Sequence, residues 1–259
     1  MVKDRFSLAA GLIAVSLFFV ALAAIDQTTA AIDRTAAATV FYISRDQVDL
    51  SKLLAPPPDM QSDQQRRDIV AVLEAQKLRT PEQVARAIAD SDASPFEIAG
   101  GVLGPNFTAA RLPKTTAFFN HVYSDEHALL RAMKDVWNRP RPFAVSKEIK
   151  AVGKPATGGS YPSGNSTRGY LTAIILANML PEKKAELFAR GRELGTDRVV
   201  AGDHFPTDIE AGRVAGTAIA TGLMENAAFR QDFAEVKAEL RRELGYPTQQ
   251  AQLSGPIEP

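Results

Sequence analysis

Eleven residues in the second half of the chain have the types and spacing of a site that handles a phosphoryl group. They fall in three clusters: Lys134 with Arg141-Pro142, read as K-x6-R-P; Tyr161-Pro162-Ser163-Gly164-Asn165; and Arg198, His204 and Asp208, read as R-x5-H-x3-D. A phosphoryl group in transfer spreads negative charge over three equatorial oxygens, which fixed cations and donors must meet. Arg141 and Arg198 offer planar forks that match pairs of oxygens, and Lys134 a compact point charge. Gly164 lets the backbone come close to an anion. A Ser163 that opens a helix would turn its hydroxyl and the free N–H groups there toward it.

His204 and Asp208 stand four residues apart, the spacing that puts two side chains on one helix face. The carboxylate would then hold one ring nitrogen protonated and leave the other as a nucleophile, so His204 is read as the attacking residue and Asp208 as its orienter. Pro206 between them fits a helix that begins there, with Asp203 or His204 near the N-cap and Pro206 in the first turn. Taken singly, each cluster has an ordinary reading: a turn before proline, loop punctuation, a surface helix pair. Their joint order and internal spacing favour the site.

In that order the three motifs resemble the phosphatidic-acid phosphatase type 2 (PAP2) superfamily, which includes the vanadium haloperoxidases. The stretches Gly158-Gly159-Ser160-Tyr161-Pro162-Ser163-Gly164, Arg190-Gly191-Arg192-Glu193-Leu194-Gly195 and Asn226-Ala227-Ala228-Phe229 look like those of the secreted bacterial class A nonspecific acid phosphatases, over roughly residues 63–244. The resemblance implies an all-α fold, a phosphohistidine formed on His204, and no metal or cofactor. It also implies an exported phosphomonoesterase acting on small-molecule esters. A haloperoxidase is disfavoured because those enzymes also use a histidine missing here and are usually larger.

Two positions depart from the family pattern. Asn165 stands where the family has the histidine that protonates the leaving alkoxide and then activates water. Asparagine can do neither, so turnover should be slower by roughly 10²–10⁴-fold and restricted to good leaving groups. Alternatives are phosphotransfer to alcohols or a non-catalytic periplasmic phosphate-ester binder, against which the retained His204 and Asp208 speak. Asp197 replaces the usual serine; it would weaken anion binding if it faced the site and fix Arg198 if it pointed away. His121 and His127 are read first as polar contacts on a helix face, and Asp203 as a capping residue; each is also weighed as a source of the missing proton.

Lys plus Arg and Asp plus Glu are 30 each among 259 residues, so the overall charge offers no basis for nucleic-acid binding. Without cysteine there are no disulfides, thiol catalysis or thiolate metal sites, and three scattered histidines make no recognisable metal cluster. Residues 1–23 carry Lys3 and Arg5, an apolar run and Ala21-Leu22-Ala23, the pattern of a cleaved export signal with an uncleaved anchor as the alternative. This places the mature chain in the periplasm or outside the cell, free of the membrane. Residues 24–60 read as an N-terminal arm available to a second copy, which would make a homo-oligomer; 61–245 as the catalytic domain; 246–259 as a disordered tail.

Helical patterning without sustained alternation predicts an all-α, single-domain helical bundle with the site at helix ends and loops. Helices are expected over residues 61–77, from the Thr80-Pro81-Glu82-Gln83 capping signal, and over 113–137 to deliver Lys134. Further helices are expected over 163–179, 181–194 with Gly195 as the stop, 204–223 and 226–244. Residues 171–180 are apolar but too short to span a bilayer, and fit a buried core helix.

Overall fold

The computed structural model describes residues 40–154 and 156–247. The expected export signal, the beginning of the arm and the tail beyond 247 lie outside the described residues. Regular structure among the described residues is helical throughout, as an all-α bundle requires. In chain order the helices are α1 (Leu50–Leu53), α2 (Asp63–Leu78), α3 (Pro81–Ala89), α4 (Pro95–Leu103), α5 (Pro113–Trp137), α6 (Pro142–Val145), α7 (Gly164–Met179), α8 (Lys184–Val200), α9 (Pro206–Glu225) and α10 (Ala227–Glu243). No described helix is long and apolar enough to cross a membrane.

Local capping chemistry sets most boundaries. Ser62, Thr80 and Asn226 accept hydrogen bonds from backbone N–H groups in the first turns of α2, α3 and α10. A second capping box, Ser94 with Glu97, opens α4, a helix that the sequence reading passed over. Helix α5 has Leu112 at its N-cap and no local side-chain cap. Buried Glu239 of α10 serves instead, accepting from Lys114 N (3.1 Å), Thr115 N (2.8 Å) and Thr115 Oγ1 (2.7 Å). The helix ends at Asn138, which is left-handed (φ 37°), two residues before the prolines expected to break it.

Helix α7 forms the centre. Leu171, Ile175, Leu176 and Met179 are fully buried in the main core, where residues 171–180 were expected. Its neighbours come very close because glycines line the contacts. A Cβ on Gly216 would lie 2.5 Å from the Thr167 carbonyl oxygen, and one on Gly212 2.5 Å from that of Ser163. Gly169 and Gly191 meet in the same way between α7 and α8.

That close packing corrects one expectation. Gly195 does not stop α8, which continues to Val200 and so delivers Arg198 from its last turn. The glycine is there for space: a Cβ would sit 2.9 Å from Ile209 Cγ2 and 3.2 Å from Ser166 Oγ. The helix also begins at Lys184, after a short 3-10 turn over Pro181–Lys183.

The arm boundary at residue 60 is corrected too. Tyr42, Ile43, Val48, Leu50 and Leu54 are buried in the main core of the same chain. Buried Asp125 of α5 accepts the backbone N–H groups of Phe41 (2.9 Å), Tyr42 (2.7 Å) and Ile43 (3.0 Å). Asn226 donates to the Tyr42 carbonyl at 2.7 Å, and the Tyr42 ring packs edge-on to Phe229. A carboxylate satisfied by three main-chain donors fixes an irregular segment that sequence periodicity does not mark.

Because the atoms facing Gly216 are backbone, little can move aside for a methyl group. Gly216→Ala is expected to cost about 1–3 kcal/mol in chemical denaturation, the usual range for overpacking. An unchanged midpoint would mean that α7 and α9 can separate without penalty.

Candidate active site

His204 lies in the short link between α8 and α9, one residue before the Phe205 N-cap. The N–H groups of Asp203 and His204 both donate to the Arg198 carbonyl (3.0 and 3.2 Å), which closes the link over the end of α8. Pro206 takes the first helical position, and Asp208, three residues after the cap, accepts from Phe205 N at 2.8 Å. The four-residue spacing therefore works through a helix cap, with His204 outside the helix and Asp208 inside its first turn.

The imidazole is buried. Its Nδ1 lies 3.5 Å from Asp208 Oδ2 and 3.3 Å from Ser160 Oγ, and the Ser160 hydroxyl also makes a short hydrogen bond to Asp208 Oδ2. Ser160 thus bridges the pair: Nδ1–H can donate to the hydroxyl while the hydroxyl donates to the carboxylate. With the proton held on Nδ1, Nε2 keeps its lone pair, and Arg141 Nη1 donates to it from 3.1 Å. Burial pushes the His204 pKa below the ordinary imidazole value; Arg141 and Lys134 add to this against the opposing pull of Asp208 and Asp203. Burial therefore disfavours the charged imidazolium, and Nε2 is the ring nitrogen that faces Arg141.

Sequence reasoning missed the group that holds Asp208. Arg139, buried, donates from Nη1 to Asp208 Oδ1 (2.6 Å) and Thr207 Oγ1 (2.7 Å), and from Nη2 to Gln65 (2.6 Å) and Asp68 (2.8 Å). Its guanidinium lies 4.3 Å above the Phe205 ring. Burial alone would raise the Asp208 pKa, but His204, Arg139 and Ser160 outweigh it and hold the carboxyl below its ordinary value. The signal that could have pointed to Arg139 is its place in Arg139-Pro140-Arg141-Pro142, a second arginine in a stretch where only one was assigned.

Of the expected cations, Arg141 contacts the ring, and Lys134 and Arg198 lie close enough to Arg141 and Asp203 to feel their charges. Lys134 Nζ donates to the Gly159 carbonyl at 2.8 Å, and Arg141 Nη2 reaches the same carbonyl at 3.4 Å. Burial, then the charge of Arg141, lowers the Lys134 pKa to about 8. Arg198 is buried with Nη2 donating to the Ala87 carbonyl, while its Nε has no partner among the described residues. The Nε atoms of Arg139 and Arg168 are likewise without a partner among the described residues. Ser163 caps α7, accepting from Ser166 N at 3.3 Å, and Gly164 is the first residue of that helix. Among the described residues no three His, Asp or Glu side chains are grouped to hold a metal ion.

The remaining candidates make other contacts than those expected. Asn165 Nδ2 donates to the carbonyls of Asp90 (2.8 Å) and Ser91 (3.1 Å). Asp197 points away, into a two-pronged pair with Arg86 (2.8 and 2.9 Å) rather than onto Arg198. His121 stacks on Phe41 at 3.9 Å, and His127 is exposed. Asp203 caps no helix; its Oδ2 lies 3.0 Å from Arg141 Nη1 and 3.8 Å from His204 Nε2.

Known proteins resemble this chain over most of its length. Residues 116–232 match the family described as the PAP2 superfamily. An acid phosphatase of Zymomonas mobilis is 32% identical over 73% of this chain and 74% of its own length. Non-specific acid phosphatases of Providencia stuartii and Salmonella typhimurium are each 29% identical, over 81% and 80% of this chain and 88% and 86% of theirs. The similarity runs through most of each relative and includes the helices that carry the three clusters, so this chain belongs to the PAP2 superfamily.

Proposed function

We propose that the protein is a metal-independent phosphomonoesterase that works through a phosphohistidine on His204. The observation that carries this reading is Arg141 Nη1 held 3.1 Å from Nε2 of His204, a fixed cation beside the nitrogen that would attack. An ester phosphate drawn to Arg141, Lys134 and the unpartnered Nε of Arg198 would present phosphorus to that nitrogen. Attack forms the N–P bond as the ester P–O bond breaks, and Asp208 with Ser160 stabilises the imidazolium that results. Ser163, Gly164 and the open N-terminus of α7 would receive an equatorial oxygen. Water then attacks phosphorus, releasing inorganic phosphate and restoring the imidazole.

The acid phosphatases that share most of the chain support the class of reaction. Residues 1–23 support export to the periplasm or beyond. With Asn165 tied to two carbonyls, nothing at that position can protonate the leaving oxygen or activate water. A site that relied on it would be slow, confined to good leaving groups, and open to alcohols as competing phosphoryl acceptors.

Hydrolysis of an aryl phosphate by the purified chain should survive excess chelator and fall by at least about 10³-fold in His204→Ala, the scale seen when a nucleophile is removed. Activity lost to chelator, or kept without His204, would contradict the mechanism. Lys134 sets a second expectation. Its charge helps hold the anion and disappears as pH rises through about 8, so binding should weaken on the alkaline side. Sulfate keeps a constant charge over this range. Its inhibition constant should rise above pH 8 by up to about tenfold per unit, the limit for one linked proton. A flat profile to pH 9.5 would show that Lys134 does not contact the anion.

A further inference from the structure

Asp203 has an unusual place for a carboxylate, inside a site that must receive an anion. It is mostly buried, its Oδ2 is paired with Arg141 Nη1 at 3.0 Å, and the same oxygen stands 3.8 Å from His204 Nε2. Its backbone carbonyl accepts from Arg141 as well, at 3.1 Å. The charged groups that face it come from each neighbouring element: Arg141 at the start of α6, Lys134 on α5, Arg198 at the end of α8, and His204 with Asp208 behind it. Among the described residues, Asp203 and Asp208 are the two carboxylates within 4 Å of the imidazole, and Asp208 is committed to Nδ1.

We propose that Asp203 is the general acid and base of the reaction, the part that Asn165 cannot play; the inference rests on the phosphohistidine reading. Phosphate and Asp203 compete for the same Arg141 nitrogen. When the ester seats as its monoanion, the carboxylate gives up that ion pair and takes the ester's proton, so the acid arrives with the substrate. In an in-line displacement the leaving oxygen lies on the order of 4–5 Å from the attacking nitrogen. A carboxyl group released from Arg141 needs only a side-chain rotation to reach it. As Nε2 bonds to phosphorus and the ester P–O bond breaks, the Asp203 proton passes to the departing oxygen and an alcohol leaves. The carboxylate then takes a proton from water as that water's oxygen attacks phosphorus, the P–N bond breaks, and the phosphate leaves with Asp203 again protonated.

The test compares Asp203→Asn, Asp203→Ala and Asp203→Glu with the unmodified protein on two esters, p-nitrophenyl phosphate and an alkyl phosphate. Thermal protection by sulfate reports whether each variant folds with its anion site intact. A lost proton donor should lower kcat on the alkyl ester by roughly 10²–10⁴-fold and on the nitrophenyl ester far less, with partial rescue in Asp203→Glu. Equal losses on both esters would overturn the proposal. So would equal gains with tighter sulfate inhibition, which would make Asp203 a mere competitor for Arg141. His204→Ala separates the two levels. If it is inactive and the Asp203 variants discriminate neither ester, only this inference fails. If it is active, or if the unmodified protein turns over neither ester, the phosphohistidine reading fails and takes this one with it.

Discussion

The site depends on one buried ion pair, Arg139 with Asp208. The two side chains are 2% and 0% exposed; Arg139 is held by Asp68, Gln65 and Thr207, with its Nε without a partner among the described residues, and Asp208 by Ser160 and the Phe205 N–H. Taking two charges out of water is favourable only when their hydrogen bonds are nearly complete, and removing one member of such a pair typically costs about 3–5 kcal/mol. The network joins α2, the loop after α5 and the first turn of α9. It therefore fixes where α9 begins, and through Asp208 and Ser160 it fixes which nitrogen of His204 is protonated.

Around that anchor the protein gathers positive charge in a poorly hydrated place. Lys134, Arg141 and Arg198 each lose water, and the lowered pKa of Lys134 reports the resulting strain on its charged form. The molecule relieves part of it internally, through the Gly158, Gly159 and Ala87 carbonyls and the Asp203 carboxylate. These contacts keep the cations in position before an anion arrives. A preorganised cradle of this kind pays its reorganisation during folding instead of during reaction.

Much of this was legible from residue types. Charged and nucleophilic residues at set spacings name a phosphate cradle, and capping residues such as Thr80 and prolines such as Pro113 mark helix starts because their physics is local. What escaped depended on distant partners. Asp125 holding residues 41–43 and Glu239 capping α5 are tertiary substitutes for local signals. Gly195 looked like a helix stop and proved to be a space-maker against Ile209, a distinction that only the neighbour can decide. Arg139 resembled its neighbour Arg141 in sequence, yet one faces the carboxylate behind the ring and the other the lone pair in front. Asn165 stood at a position where the family keeps a catalytic group, but its amide found closer acceptors in Asp90 and Ser91.

The central claim is that His204 becomes covalently phosphorylated. The most direct measurement is rapid quenching of the protein during turnover of a labelled aryl phosphate, followed by peptide mapping under alkaline conditions, where phosphohistidine survives. The account predicts label on the peptide carrying His204, stable to base and lost in acid, appearing before the steady state. Turnover with no trapped label, or label on another residue, would contradict it.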